Sequence, residues 1–201
     1  MRDAGIGRIL VASLHQAIAD LMPTRLEFYE NWLNPDGLRE GRIGIAPLQA
    51  VLSFLRREGA AYDLVTRRAG EYAAEWTIQA MPALKVAFIK SAPAWLRIHL
   101  ALRAARQLVR SSYRGSRALS RVRHGVAKVD VRASIFCAVR EPVPEPLCVF
   151  YAAAFTRLLA LLDLRVRTEV VACRGTGEAR CVLKLAFLNG QPDTADPVEA
   201  L

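Results

Sequence analysis

Four cysteines carry the sharpest chemical signal in this chain: Cys137, Cys148, Cys173 and Cys181. Thiolates ligate zinc and act as nucleophiles, whereas buried thiols serve as small apolar side chains. Cys173 and Cys181 stand on either side of a turn that contains Gly175 and Gly177. In an antiparallel hairpin they approach each other. Cys148 begins an apolar stretch, where a helix dipole would favour its thiolate. Zn–S bonds of about 2.3 Å require sulfurs roughly 3.5–4 Å apart. The spacing is compatible with a shared metal, with a convergent but empty thiol cluster, and with a Cys173–Cys181 disulfide. No other constellation competes. His15, His99 and His124 are scattered, and no Ser-His-Asp order, P-loop or dinucleotide fingerprint is present. Without a hydride source a reductase is not indicated, and the chain reads as non-catalytic.

The elements that must position the cysteines follow from periodicity. Val149, Ala152, Ala153, Phe155, Leu158, Leu159 and Leu162 recur at helical spacing behind Cys148. After Leu164 the period becomes two, predicting a strand into Cys173, a turn, and a returning strand over Val182–Phe187. On the first of these strands Val166, Thr168, Val170 and Ala172 share one face, with Glu169, Val171 and Cys173 on the other. Val126–Val139 alternates as one long strand that points Cys137 to the apolar side, and Pro142–Pro146 makes a stiff connector. Upstream, helices are predicted over Ile6–Met22, around Leu26–Leu33, over Ile45–Glu58 and over Ala60–Met81, with an NPDG turn at Asn34–Gly37. Ala83–Arg110 is apolar, studded with cations and broken at Pro93, and Ser111–Ser120 reads as a basic linker. The fold class is α+β: N-terminal helices, then an antiparallel sheet with an inserted helix. Residues 1–43 are expected as a helical extension, 44–188 as the α+β domain and 189–201 as an acidic tail.

The stretch with Cys148, Tyr151, Ala154 and Phe155 on a helix, followed by Cys173, Gly177 and Cys181 in a C-x7-C hairpin, resembles the 4-vinyl reductase (4VR) domain family of the TRAPP-like superfamily. That family includes bacteriochlorophyll-synthesis proteins and the sensor domains of phenol- and xylene-responsive activators. The resemblance implies zinc on Cys148, Cys173 and Cys181 beside a pocket for a hydrophobic, aromatic or tetrapyrrole-like small molecule, and it implies a homodimer. The family's glutamate ligand falls on Val170 here, with Glu169 one position off. Cys137, on the neighbouring strand's inward face, is therefore the expected fourth ligand ahead of Glu169. Candidate pocket walls are Tyr72, Trp76, Phe136, Phe150, Tyr151 and Phe155; such stripes also serve as plain core. The alternatives are an accessory or carrier in bacteriochlorophyll 4-vinyl reduction, and a TRAPP-like dimeric adaptor for proteins or membranes.

The balance of charge narrows the partners. A net charge of +9 over 201 residues favours an anionic membrane surface or an acidic protein. Ten Lys and Arg residues but one acid, Asp130, lie between Arg97 and Arg132. Aromatics are sparse there, which argues against sequence-specific nucleic acid. No secretory pattern opens the chain and no run approaches about 18 apolar residues. The expected location is cytoplasmic, peripheral to the membrane at most, where cysteines stay reduced.

Overall fold

The computed structural model describes residues 6–33 and 44–188. Two helices, α1 (Arg8–Leu21) and α2 (Leu26–Leu33), lead into α3 (Ile45–Arg57) and α4 (Ala60–Gln79). Pro82 and Pro93 then delimit α5 (Ala83–Ser91) and α6 (Ala94–Ser112), as expected from ring closure at φ and the missing N–H. Strands β1 (Arg117–Arg123) and β2 (Val126–Arg132) follow, then α7 (Val149–Leu161), β3 (Val166–Ala172) and β4 (Cys181–Phe187). The sheet is antiparallel throughout in the order β1-β2-β4-β3. The α+β expectation holds: helices first, then a sheet with α7 inserted between its two hairpins.

The sheet has one covered face. Ala127, Val129 and Val131 of β2 and Leu183 and Leu185 of β4 are buried, with α6 against β1 and α7 against β3. The opposite face carries exposed Arg117, Arg121, Lys128 and Arg132. Leu10, Leu14 and Ile18 of α1, and Tyr29 and Leu33 of α2, lie in the same buried core as the sheet. The expected division at 43/44 borders residues 34–43, and the NPDG turn and the acidic tail also lie outside the described residues.

Two readings of the sequence change. The segment read as a basic linker contributes β1, a strand whose inward residues, Ala118, Ser120 and Val122, are too small and polar to make a clear period-two pattern. His124 and Gly125, both at positive φ, form its two-residue turn with β2. The long strand expected over Val126–Val139 stops at Arg132. Ala133 has φ +51°, which breaks the extended run, and Ile135–Cys137 closes into a buried 3-10 turn.

The closest helix pairing is α4 against α7, and it is made by absent side chains. A Cβ on Gly70 would stand 2.3 Å from the Phe150 carbonyl oxygen and 3.1 Å from the Ala153 Cβ. Ala69, Ala73 and Ala74 continue the small face on α4, and Ala153 and Ala154 answer it on α7. The small residues of α7 therefore admit a neighbouring backbone, and this contact fixes where Cys148 begins the helix.

Candidate metal centre and the aromatic cluster above it

Each cysteine reaches the centre by a different local device. Cys137 ends the 3-10 turn that Ala133 sets up. Cys148 is the N-cap residue of α7. Cys181 is the first residue of β4, on the inward face with Leu183 and Leu185. Cys173 depends on an irregularity in β3. Val170 pairs with Leu183, yet Ala172 pairs with Val182, so Val171 is an extra residue. Such a bulge reverses the side-chain phase of the strand. Simple alternation places Cys173 with Glu169; the bulge turns Cys173 inward and leaves Glu169 exposed on the outer face, 3.4 Å from Lys184. Glu169 is thereby removed as a ligand candidate.

The four sulfurs form a compact, buried tetrahedral cluster. Cys137 Sγ lies 3.1 Å from Cys148 Sγ, 3.4 Å from Cys173 Sγ and 3.5 Å from Cys181 Sγ, and Cys148 and Cys173 are 3.5 Å apart. All four atoms lie within 4.8 Å of one another, and all four are free thiols. The Leu147 N–H donates to Cys173 Sγ at 3.3 Å and the Arg174 N–H donates to Cys181 Sγ at 3.4 Å. Hydrogen bonds from Cys137 and Cys148 push the Cys173 and Cys181 thiols down, so both favour thiolate, while the Cys148 thiol is pushed up, first by Cys137. A divalent cation overrides this division, because coordination deprotonates a thiol outright. The donor set fits zinc: four thiolates, near the roughly 3.5–4 Å edges of a tetrahedral site, with no carboxylate competing.

The lid over this centre is the segment before α7. A Cβ on Gly175 would lie 2.8 Å from Leu147 Cδ1, so only glycine lets Leu147 settle there. The Val143 N–H donates to the Gly175 carbonyl at 2.8 Å, and the Tyr62 hydroxyl donates to the Leu147 carbonyl at 3.2 Å. Burial pushes the Tyr62 hydroxyl pKa far up, so it stays protonated and able to donate.

The six candidate pocket residues separate into two groups. Phe136 and Phe150 stack with centroids 4.8 Å apart, and Tyr151 meets both edge-on at 5.5 and 5.3 Å. Phe155 is fully buried in the same core. Phe136 directly precedes Cys137, and Phe150 and Tyr151 follow Cys148 by two and three residues, so this cluster adjoins the sulfurs. The hydroxyls of Tyr151 and Ser134 are buried with no hydrogen-bond partner. Ser134 is a residue that sequence reasoning missed, since nothing in its neighbourhood singles it out. Tyr72 and Trp76 form their own stacked pair at 5.5 Å, half-buried, where Tyr72 bonds Asp20 and Arg68. The space beside Ala153 is an open groove of about 280 Å³ that Arg67, Glu71, Thr156 and Arg157 also line.

The span from β2 through α7 to the end of β4, which holds all four cysteines, decides the family. Residues 127–187 match the 4-vinyl reductase (4VR) domain. The family resemblance read from the sequence thus holds over this segment. No curated protein matches the chain. Among solved structures, an Fe(II) unliganded H-NOX protein from K. algicida shares the fold, with a TM-score of 0.52 and 12% identity over 92% of this chain and 98% of that one. The phenol-responsive sensory domain of the transcription activator PoxR, solved with phenol, aligns at 15% identity and a TM-score of 0.48, over 74% of this chain and 77% of that one. In the 4VR segment the metal candidates, the aromatic cluster and α7 are one continuous unit. Among the described residues no helix is long and apolar enough to cross a membrane.

Proposed function

We propose that this chain is a non-catalytic domain of 4VR type that binds a compact aromatic molecule between α7 and the sheet, with zinc held by Cys137, Cys148, Cys173 and Cys181 as its structural anchor. The observation that carries the binding reading is the pair of unpartnered hydroxyls, Tyr151 and Ser134, buried among Phe136, Phe150 and Phe155. A buried hydroxyl without a partner costs about 1–3 kcal/mol, and a ligand with one polar group on an aromatic ring would relieve that cost. Zinc at this site would supply cross-linking, not reactivity: four protein thiolates leave no open position for water or substrate. Binding requires Phe136 or Phe150 to move. Both rings hang from segments that end in or begin at a cysteine of the centre, so the anchor sets how far they part.

The test is native mass spectrometry followed by titration with phenol and with toluene. The expected result is one zinc per chain and a binding preference for phenol. Tyr151→Phe should weaken phenol by about fivefold to tenfold, the worth of one hydrogen bond, and leave toluene unchanged. Indifference of both compounds to the cluster variants would overturn the ligand reading. A metal-free, fully folded chain would overturn the zinc reading.

A further inference from the structure

Helix α5 has two apolar faces, and only one of them has a protein partner. Ile89 is 2% exposed and Val86 is half-buried, so these residues turn toward the core. Leu84 and Phe88, one turn apart, are 86% and 61% exposed. At about 3.6 residues per turn, Leu84, Ala87, Phe88 and Ser91 fall on the side opposite Val86 and Ile89. Lys85 and Lys90 fall on the two borders between those sides. Trp95, 66% exposed, sits in the first turn of α6, just beyond the Ala92–Pro93 link. A helix apolar on all sides belongs in a protein core or a membrane. A contiguous exposed apolar surface rimmed by charge marks an interaction site.

The charge around this surface selects its partner. Between Glu75 and Asp130 the chain contains no acidic residue but eleven Lys and Arg residues, from Lys85 to Lys128. Lys90 reaches the exposed Asp163 at 3.3 Å, and such a surface pair holds the lysine only weakly. A second copy of this chain suits the surface poorly. An isologous contact sets like against like, so Lys85 and Lys90 would face their own equivalents with no carboxylate in the segment to compensate.

We propose that α5 and the first turn of α6 dock on a bilayer that contains anionic lipid. Leu84, Phe88 and Trp95 enter the boundary between headgroups and acyl chains, and Lys85 and Lys90 extend along it to lipid phosphates. The contact is interfacial: α5 is nine residues long, and no described helix can span. This inference is independent of the ligand and metal readings, because α5 contributes no residue to either site.

The experiment is flotation of the full chain with vesicles of phosphatidylcholine alone and of phosphatidylcholine with phosphatidylserine. Binding is expected on the anionic vesicles and should fall with added salt. Lys85→Gln should weaken it about fivefold, as expected for one cation near a charged surface. The double change Leu84→Ser and Phe88→Ser should weaken it at least about tenfold, with an unchanged melting temperature because both side chains point outward. Brominated acyl chains should quench the tryptophan fluorescence, and Trp95→Phe should remove that quenching. Undiminished flotation of the double variant would overturn the proposal, as would equal binding to both vesicle types. A concentration-dependent dimer that the double variant dissociates would also overturn it, by showing that a second copy covers this face.

Discussion

The cysteine centre and the outward face of α5 are both apolar, yet one is closed on every side and the other on none. At the centre, four elements arrive from separate parts of the chain, and each is admitted by a small departure from regularity: the bulge at Val171, the positive φ of Ala133, and the bare Cα atoms of Gly70 and Gly175. At α5, two prolines cut a nine-residue helix that meets the core along one side only. Apolar content therefore did not decide burial. What decided it was whether other elements could come close enough to cover the surface.

The sharpest way to break the comparison is to open the centre. Cys148→Ser, or a strong chelator on the metal-loaded protein, should cost about 4 kcal/mol or more, since loss of a structural metal belongs among the large effects. For a chain of this size that is a fall of about 8–16 °C in melting temperature. Differential scanning fluorimetry with and without chelator reads it, and an unchanged midpoint would show that the sulfurs hold nothing.

A smaller effect tests the approach that sets α7 in place. Gly70→Ala puts a methyl group against the Phe150 carbonyl, and overpacking of this kind costs about 1–3 kcal/mol. Chemical denaturation should show it, and the variant should also hold metal less tightly because Cys148 starts the displaced helix. The same substitution at Gly59, where an added Cβ meets nothing, should not affect metal affinity.

Tyr151→Phe should leave stability unchanged or raise it by up to about 1 kcal/mol, because it removes a buried hydroxyl that has no partner. A clear loss of stability would mean that the hydroxyl is satisfied in solution. By contrast, Leu84→Ser and Phe88→Ser should change stability by no more than about 0.5 kcal/mol, as for surface positions generally. That contrast separates a buried surface from one awaiting a partner.

The smallest expected effect lies at the Tyr72–Asp20 contact. Hydrogen bonds from Tyr72 and then Gln16 hold the Asp20 carboxyl below its ordinary value, and the bond to Asp20 pushes the Tyr72 hydroxyl up. A carboxyl lowered in the folded state contributes stability above its unfolded pKa of about 3.9. That contribution is lost as pH falls through the lower folded value. A raised tyrosine contributes below about pH 10, and its share is lost as pH rises through the raised value. Tyr72→Phe should flatten the pH dependence of melting at both ends.

Much of the architecture was legible in the chain itself. Helical spacing behind Cys148, the glycines between Cys173 and Cys181, and the prolines at 82 and 93 named α7, the β3–β4 hairpin and the break between α5 and α6, because each rests on local sterics or on one face of one element. The excess of cations between Glu75 and Asp130 was equally plain. The strand β1 was not, since Ala118, Ser120 and Val122 bury too little apolar surface to mark a period.

Residue type and spacing by themselves determined that four thiols exist within reach of one hairpin and one helix, and that the fold is α+β. Only the tertiary structure decided which way they point. Alternation along β3 assigns Cys173 to the face of Glu169, and the bulge at Val171 reverses it. A bulge is a relation between two strands, visible only once β4 supplies the register. Cys137 was expected on a strand and arrives on a 3-10 turn, because Ala133 adopts a backbone angle that its own side chain disfavours. Tyr72 and Trp76 share an aromatic character with Phe136 and Phe150, yet the packing of α1 and α7 on different faces of α4 holds the two groups apart.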